Sequence, residues 1–302
     1  MKAHTTRKKA LYAALMGLAM LTCANRALSQ TADSAAKPAE KATVSESLLA
    51  IEHAKLNTAD ASPVDPGHYE VEIGCSWTQA KRAWDGDGAA HSRGLAREQA
   101  VGPTLTVGIM ENVDVSIGLD YLWLRDDDNA APTTGEGFGD FSFGGRYRFF
   151  TSGKYRIEAA WISGFTAPTG NHGNDDELGA SQEFWSWDNS LVVSKDWEHW
   201  TMNAELGWSL PFGEKRDDDR GTLIANLAAG YQILEWLQPE VELNYSREYA
   251  NGEADESALA VTAGLVMPIN DCLRVNLGVQ QAVWGENADK ATVAMLAVKL
   301  GF

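Results

Sequence analysis

Glu240 and Glu242 stand two residues apart in LQPEVELNYS, and Glu205 sits in TMNAELGWSL. Residues two apart on an extended strand project from one face, so Glu240 and Glu242 point the same way. From Thr201 to Met267 that phase supplies almost no base, because Arg247 falls in the opposite one. Carboxylates without counter-charge along a wet wall create a negative field that attracts cations. Arg146, Arg148 and Arg156 fall in the polar phase of the stretch GEGFGDFSFGGRYRFF and of the strand after it. Set across a lumen from the glutamates, they would make a transverse field that orients dipolar solutes.

A second group reads as structural ion pairs. Strand order sets Asp114 against Arg148 and Arg146 against Glu158. If first and last strands meet, Glu70 and Glu72 face Lys299 and Arg274. The clusters 126–128, 175–177 and 217–219 offer dense oxygen ligands for calcium or magnesium. They lack EF-hand spacing and read as solvated acidic loops that repel anions. There is no CxxC or Cys/His spacing, so no metal and no cofactor is expected. No histidine is followed two residues later by serine, the pair that barrel phospholipases use. His91 with Asp87, and His172 with Asp175, lack partner strands. No catalytic residue is assigned, and the chain is not read as an enzyme. Cys75 and Cys272 are placed too differently to bond.

The elements that carry these residues alternate with period two. YEVEIGCSW sets Tyr69, Val71, Ile73, Cys75 and Trp77 against Glu70, Glu72, Gly74 and Ser76; VDVSIGLDYLW repeats the pattern. About twelve such strands of roughly 9–11 residues follow, the length that crosses a bilayer at a tilt. Tight connections (MEN, TSGK, PIND) alternate with long ones such as TAPTGNHGNDDELGASQ. Glycines 74, 108, 118, 144, 164, 207, 230, 264 and 278 fall in the polar phase, as a crowded lumen requires. Aromatics gather at strand ends: Phe149, Tyr155, Trp200, Trp236 and Phe302 at one interface, and Trp123, Phe165, Trp208, Tyr245 and Trp284 at the other. The terminal Phe302 on an alternating strand has the form of the signal read by barrel-assembly machinery.

The first residues are an address. Arg7, Lys8 and Lys9 precede an apolar run and small residues, so residues 1–29 read as a secretory signal. Its loss removes five bases and no acid, which takes the formal charge from −17 to −22. So acidic a chain is excluded from nucleic-acid binding. Residues 30–66 are Ala-, Lys- and Glu-rich without alternation and read as a periplasmic extension, with a short helix over SESLLAIEHAKLN. A plug lying inside the lumen is the second option. Residues 67–302 form the barrel.

GEGFGDFSFGGRYRFF, then FTAPTG and LVVSKDWEHWTMNAELGWSL, resemble the meta-pathway phenol-degradation family of outer-membrane proteins. The matching positions are Gly139, Asp140, Phe141, Ser142, Tyr147, Arg148 and Phe149, then Pro168, Thr169 and Gly170. The resemblance runs from about Glu98 to Phe302 and carries no catalytic residue. It implies an all-β, up-and-down barrel in the outer membrane of a Gram-negative bacterium, passing small molecules, aromatic or hydrophobic ones among them. The partners would be outer-membrane lipid and lipopolysaccharide, the assembly machinery and the solute. The alternatives are a non-conducting scaffold acting through its loops and the extension, and, third, an outer-membrane hydrolase.

Overall fold

The computed structural model describes residues 54–128, 132–174, 177–213, 219–252, 254–270 and 272–302. Residues 1–29 and most of the extension lie outside that set. All regular structure among the described residues is extended: β1 (Tyr69–Trp84), β2 (Ala90–Met110), β3 (Val113–Gly118), β4 (Tyr121–Asp126), β5 (Thr133–Phe138), β6 (Phe141–Ser152) and β7 (Ile157–Ala167). Then come β8 (Trp185–Trp197), β9 (Trp200–Phe212), β10 (Asp219–Tyr231), β11 (Gln238–Ala250), β12 (Glu256–Asn270), β13 (Leu273–Glu286) and β14 (Thr292–Gly301).

Neighbours pair antiparallel in chain order, and β1 pairs with both β2 and β14, so the sheet closes on itself. The pairs β3/β4 and β5/β6 are each one wall-crossing strand broken in the middle, which makes twelve strands in all. The break has a physical cause. Opposite it on β2 stands Pro103, which has no N–H to give the ladder, although its carbonyl still accepts from Leu119 at 3.3 Å. Leu119 and Asp120 then lean inward over Gly102, where a Cβ would lie 1.8 Å from Asp120 Oδ1.

Alternation along each strand sorts side chains by solvent. Phe143, Tyr147, Trp161, Leu191, Leu206, Val241, Leu243 and Leu277 point outward, while Arg146, Ser194, Glu205, Glu242 and Gln280 are buried inside. Trp123, Phe149, Tyr155, Trp200, Trp236 and Trp284 point outward as well. An outward apolar belt with inward polar positions fits a lipid-facing barrel, in which closure leaves no unpaired backbone edge. Above the belt, β1 and β2 continue as a hairpin, so His91 lies on a strand rather than in a loop.

The seam between β1 and β14 ends at Phe302, which exchanges backbone hydrogen bonds with Tyr69 at 2.9 and 3.1 Å. The two rings stack at 5.1 Å. Such a pair contributes about 0.5–1.5 kcal/mol beyond its buried area. Phe302→Ala is therefore expected to slow closure several-fold when the urea-unfolded chain refolds into vesicles. The readout is the rate at which the heat-modifiable band appears on a gel.

Candidate functional site

Residues 54–64 do not hang below the barrel. They run through its lumen as a strap, and almost every one is buried. This corrects the periplasmic placement of that part of the extension. It also removes the helix from residues 54–57, which are not helical; residues 45–53 lie outside the described set.

The strap is built to the wall. The backbone amides of Leu56, Asn57 and Thr58 converge on the Glu242 carboxylate at 2.7–3.2 Å, joined by the Thr58 hydroxyl at 3.2 Å. Successive amides around one anion form a nest, a strong arrangement for holding negative charge. Ala59 N donates to Glu205 Oε2 at 3.1 Å, and Asn203 Nδ2 donates to the Ala59 carbonyl at 3.0 Å. Further on, Ala61 N donates to Ser194 Oγ at 3.0 Å, Ser62 Oγ to Glu158 at 2.6 Å, and Val64 N to Asp114 at 3.0 Å. Lys55 Nζ lies 3.5 Å from Glu240 Oε1 and 3.3 Å from Thr201 Oγ1, and neither charged side chain is exposed. Leu56 packs with Ala54, Val266, Val293 and Met295, and Ala59 and Ala61 pack with Ala160, Ile162 and Val192.

Part of the inward glycine pattern follows from this path. At Gly108 a Cβ would lie 2.0 Å from the Asp65 carbonyl oxygen, so the strap's exit passes directly over it. At Gly264 and Gly278 a Cβ would come within 2.7 and 3.0 Å of a Leu56 methyl. At Gly108 only glycine leaves room, while at Gly264 the nearest obstacle is the wall's own Leu277 carbonyl oxygen, 2.2 Å from such a Cβ.

Several expectations change accordingly. Glu205, Glu240 and Glu242 are not bare: the chain's own strap supplies their donors and, through Lys55, one counter-charge. The pairing of the arginines is exchanged. Arg146 reaches Asp114 at 3.3 Å and Asp60 at 2.8 Å, and also binds the Ser62 carbonyl. Arg148 instead takes Glu158 at 2.8 Å. Register explains the swap: Asp114 lies directly opposite Arg146, and a bulge after Arg148 shifts the β6–β7 ladder by one residue. Arg156 leaves the lumen set altogether. It occupies the turn before β7 with φ of 50° and lies 3.9 Å from Asp196 at the rim. At the seam Lys299 donates to Glu70 at 2.8 Å, with Glu72 and Arg274 opposite it on the flanking strands.

The outer half of the barrel is also occupied. The β7–β8 connection turns in, and Leu178 and Ala180 pack on Ala100, Leu122 and Leu124. Asp140 fastens it, accepting from Gly170 N, Gln182 N and Ser181 Oγ at 2.7–2.9 Å. At the outer rim Arg93 gathers Asp126, Asp128 and Asp289 at 2.6–3.2 Å, so part of the first acidic cluster is clamped rather than solvated. Burial lifts the Asp289 carboxyl above its ordinary range, and the Arg93 guanidinium opposes that. The residues that sequence reasoning missed are those of the strap, above all Lys55 and Asp60. The signal available was the absence of bases facing Glu240 and Glu242.

A closed twelve-strand barrel with an apolar belt and a polar interior is an outer-membrane β-barrel, and its place is the outer membrane of a Gram-negative bacterium. The chain belongs to the family described as "Putative MetA-pathway of phenol degradation", whose model matches residues 91–296. Among solved structures it is similar to the COG4313 outer membrane channel from Pseudomonas putida F1, at 14% identity and a TM-score of 0.70 over 82% of this chain and 100% of that one. The translocator domain of the autotransporter NalP from Neisseria meningitidis matches at 11% identity and a TM-score of 0.47, over 78% of this chain and 89% of that one. The CymD monoaromatic hydrocarbon channel matches at 10% identity and a TM-score of 0.39, over 78% and 88% respectively. No curated protein matches by sequence.

Proposed function

We propose that the chain is an outer-membrane channel for small hydrogen-bonding solutes, closed in this conformer by its own residues 54–64. One observation carries the reading. The blocking segment is gripped by wall side chains, with its amides on Glu242, Glu205, Ser194 and Asp114. Water can take over each of those bonds when the strap leaves. The family and the similar channel support the same reading. Aromatic solutes, which the family's description suggests, suit this lumen to the extent that they carry polar groups, because its inward positions are mostly polar.

Planar-bilayer recording tests the proposal. The full chain is expected to open rarely, and a variant lacking residues 30–64 to conduct steadily. In a potassium chloride gradient the reversal potential of that variant should favour the cation. Glu240→Gln with Glu242→Gln in the same variant should shift it toward zero, since the wall field is lost. A folded, strap-free barrel that stays silent would sink the channel reading in favour of a scaffold.

A further inference from the structure

We propose that the seat of Lys55 is a binding site for extended organic cations, and that the strap closes the lumen by occupying it as an internal imitation of such a ligand. The inference rests on the channel reading and names its solute class: linear molecules that carry an alkylammonium group followed by further N–H donors.

The seat has the composition such a ligand needs. Glu240 and Glu242 are successive inward residues of β11, so their carboxylates stand about 7 Å apart along the strand. Glu205 joins them through β10, where Asn226 donates to it at 3.0 Å and lies opposite Asn244 of β11. What fills this acidic wall is an alkylammonium at Glu240 and then, residue by residue, N–H groups at Glu242 and Glu205. The fit leaves acceptors over. Glu240 Oε2 is buried with no hydrogen-bond partner, as is Oε1 of Gln238, whose amide nitrogen donates to Glu240 Oε1 at 2.7 Å. A buried acceptor left unpaired costs free energy that a better donor recovers, and a ligand with a second ammonium supplies that donor.

An independent observation lies higher in the same lumen. Glu98 on β2 is 2% exposed, its Oε1 has no partner, and the charge it feels is another carboxylate, Asp120. Thr78 lies directly opposite it on β1, with an unpartnered hydroxyl. The carboxylate is aimed inward, above the strap and opposite Leu124, whose cluster with Ala100 and Leu122 is covered by Leu178 and Ala180 of the β7–β8 connection. A cation that displaced the β7–β8 connection from outside would meet Glu98 before it reached the Lys55 seat.

Strap displacement reads this out without any current. Thr58→Cys and, separately, Ser62→Cys are placed in the full chain with Cys23, Cys75 and Cys272 changed to Ser, and labelling by a maleimide is timed in lipid vesicles. Spermidine at 1–10 mM is expected to speed labelling of both reporters at least about tenfold. Sodium chloride of equal ionic strength, and triethylene glycol of similar length without charge, should not. Adding Glu240→Gln should remove most of the spermidine effect while Glu242 still holds the amide nest. Labelling that ignores spermidine, that responds equally to triethylene glycol, or that keeps its full response in Glu240→Gln would overturn the proposal. Its failure is distinct from that of the channel reading, which is decided by current through the strap-free barrel.

Discussion

Glu242→Ala is expected to turn a barrel that rests closed into one that opens readily. The substitution takes the acceptor from three buried amides and a hydroxyl at once. Each buried donor left unpaired costs about 1–3 kcal/mol, so even with partial repair by water the bound strap loses at least ~3 kcal/mol. That is roughly a hundredfold in the balance between strap in and strap out. Single-channel recording should show the open fraction rise by about that factor. The wall loses less than the strap does, a hydrogen bond from Asn244 Nδ2 at 3.2 Å. An open fraction unchanged from the parent chain would mean that the strap is held elsewhere.

The second large effect is expected at Arg146. This guanidinium is buried between Asp60 of the strap and Asp114 of the wall, and it also binds the Ser62 carbonyl. Arg146→Met leaves two carboxylates facing each other without a cation. Removing one partner of a buried ion pair costs about 3–5 kcal/mol, and here two acids are stranded. Urea unfolding in lipid vesicles, followed by tryptophan fluorescence and the heat-modifiable band, should show a clear fall in the midpoint. The strap should also label faster at Ser62→Cys. Adding Asp60→Asn and Asp114→Asn should restore much of the midpoint, because no uncompensated charge remains. Loss of the midpoint without such recovery would assign Arg146 a packing role instead.

Much of the barrel is legible in the sequence because its physics is local. Period two decides which side chains meet lipid, and Tyr69 to Trp77 or Leu237 to Ser246 carry that pattern without help from distant residues. The breaks in the third and fourth wall strands are less legible. The alternation runs straight through Leu119–Asp120 and Gly139–Asp140, and Pro103, which stands opposite the first of these breaks, is on a different strand. Ion-pair partners depend on register to within one residue, and Asp114 stands opposite Arg146 rather than Arg148. The strap is hardest to read. Residues 54–64 have no periodicity of their own, since their conformation is dictated by wall side chains 50 to 186 positions away. Their imprint is nevertheless in the wall, as the glycine at 108 and as glutamates that lack bases. Both were visible as types and phases; what fills the space was not.

The link between strap and wall is only Asp65 to His68, pinned where Gly67 N donates to the Gly108 carbonyl at 3.0 Å. A released strap therefore cannot diffuse away. From the amides of Leu56 to Thr58 to the pin at Gly67 the tether is about ten residues, and a short flexible tether gives an effective concentration in the millimolar range. Chain segments of this length revisit a fixed point in roughly 10–100 ns. Reclosure is thus intramolecular and independent of how much protein the membrane holds. The barrel has the kinetics of a door on a spring, and its time spent open is set by whatever holds the strap out.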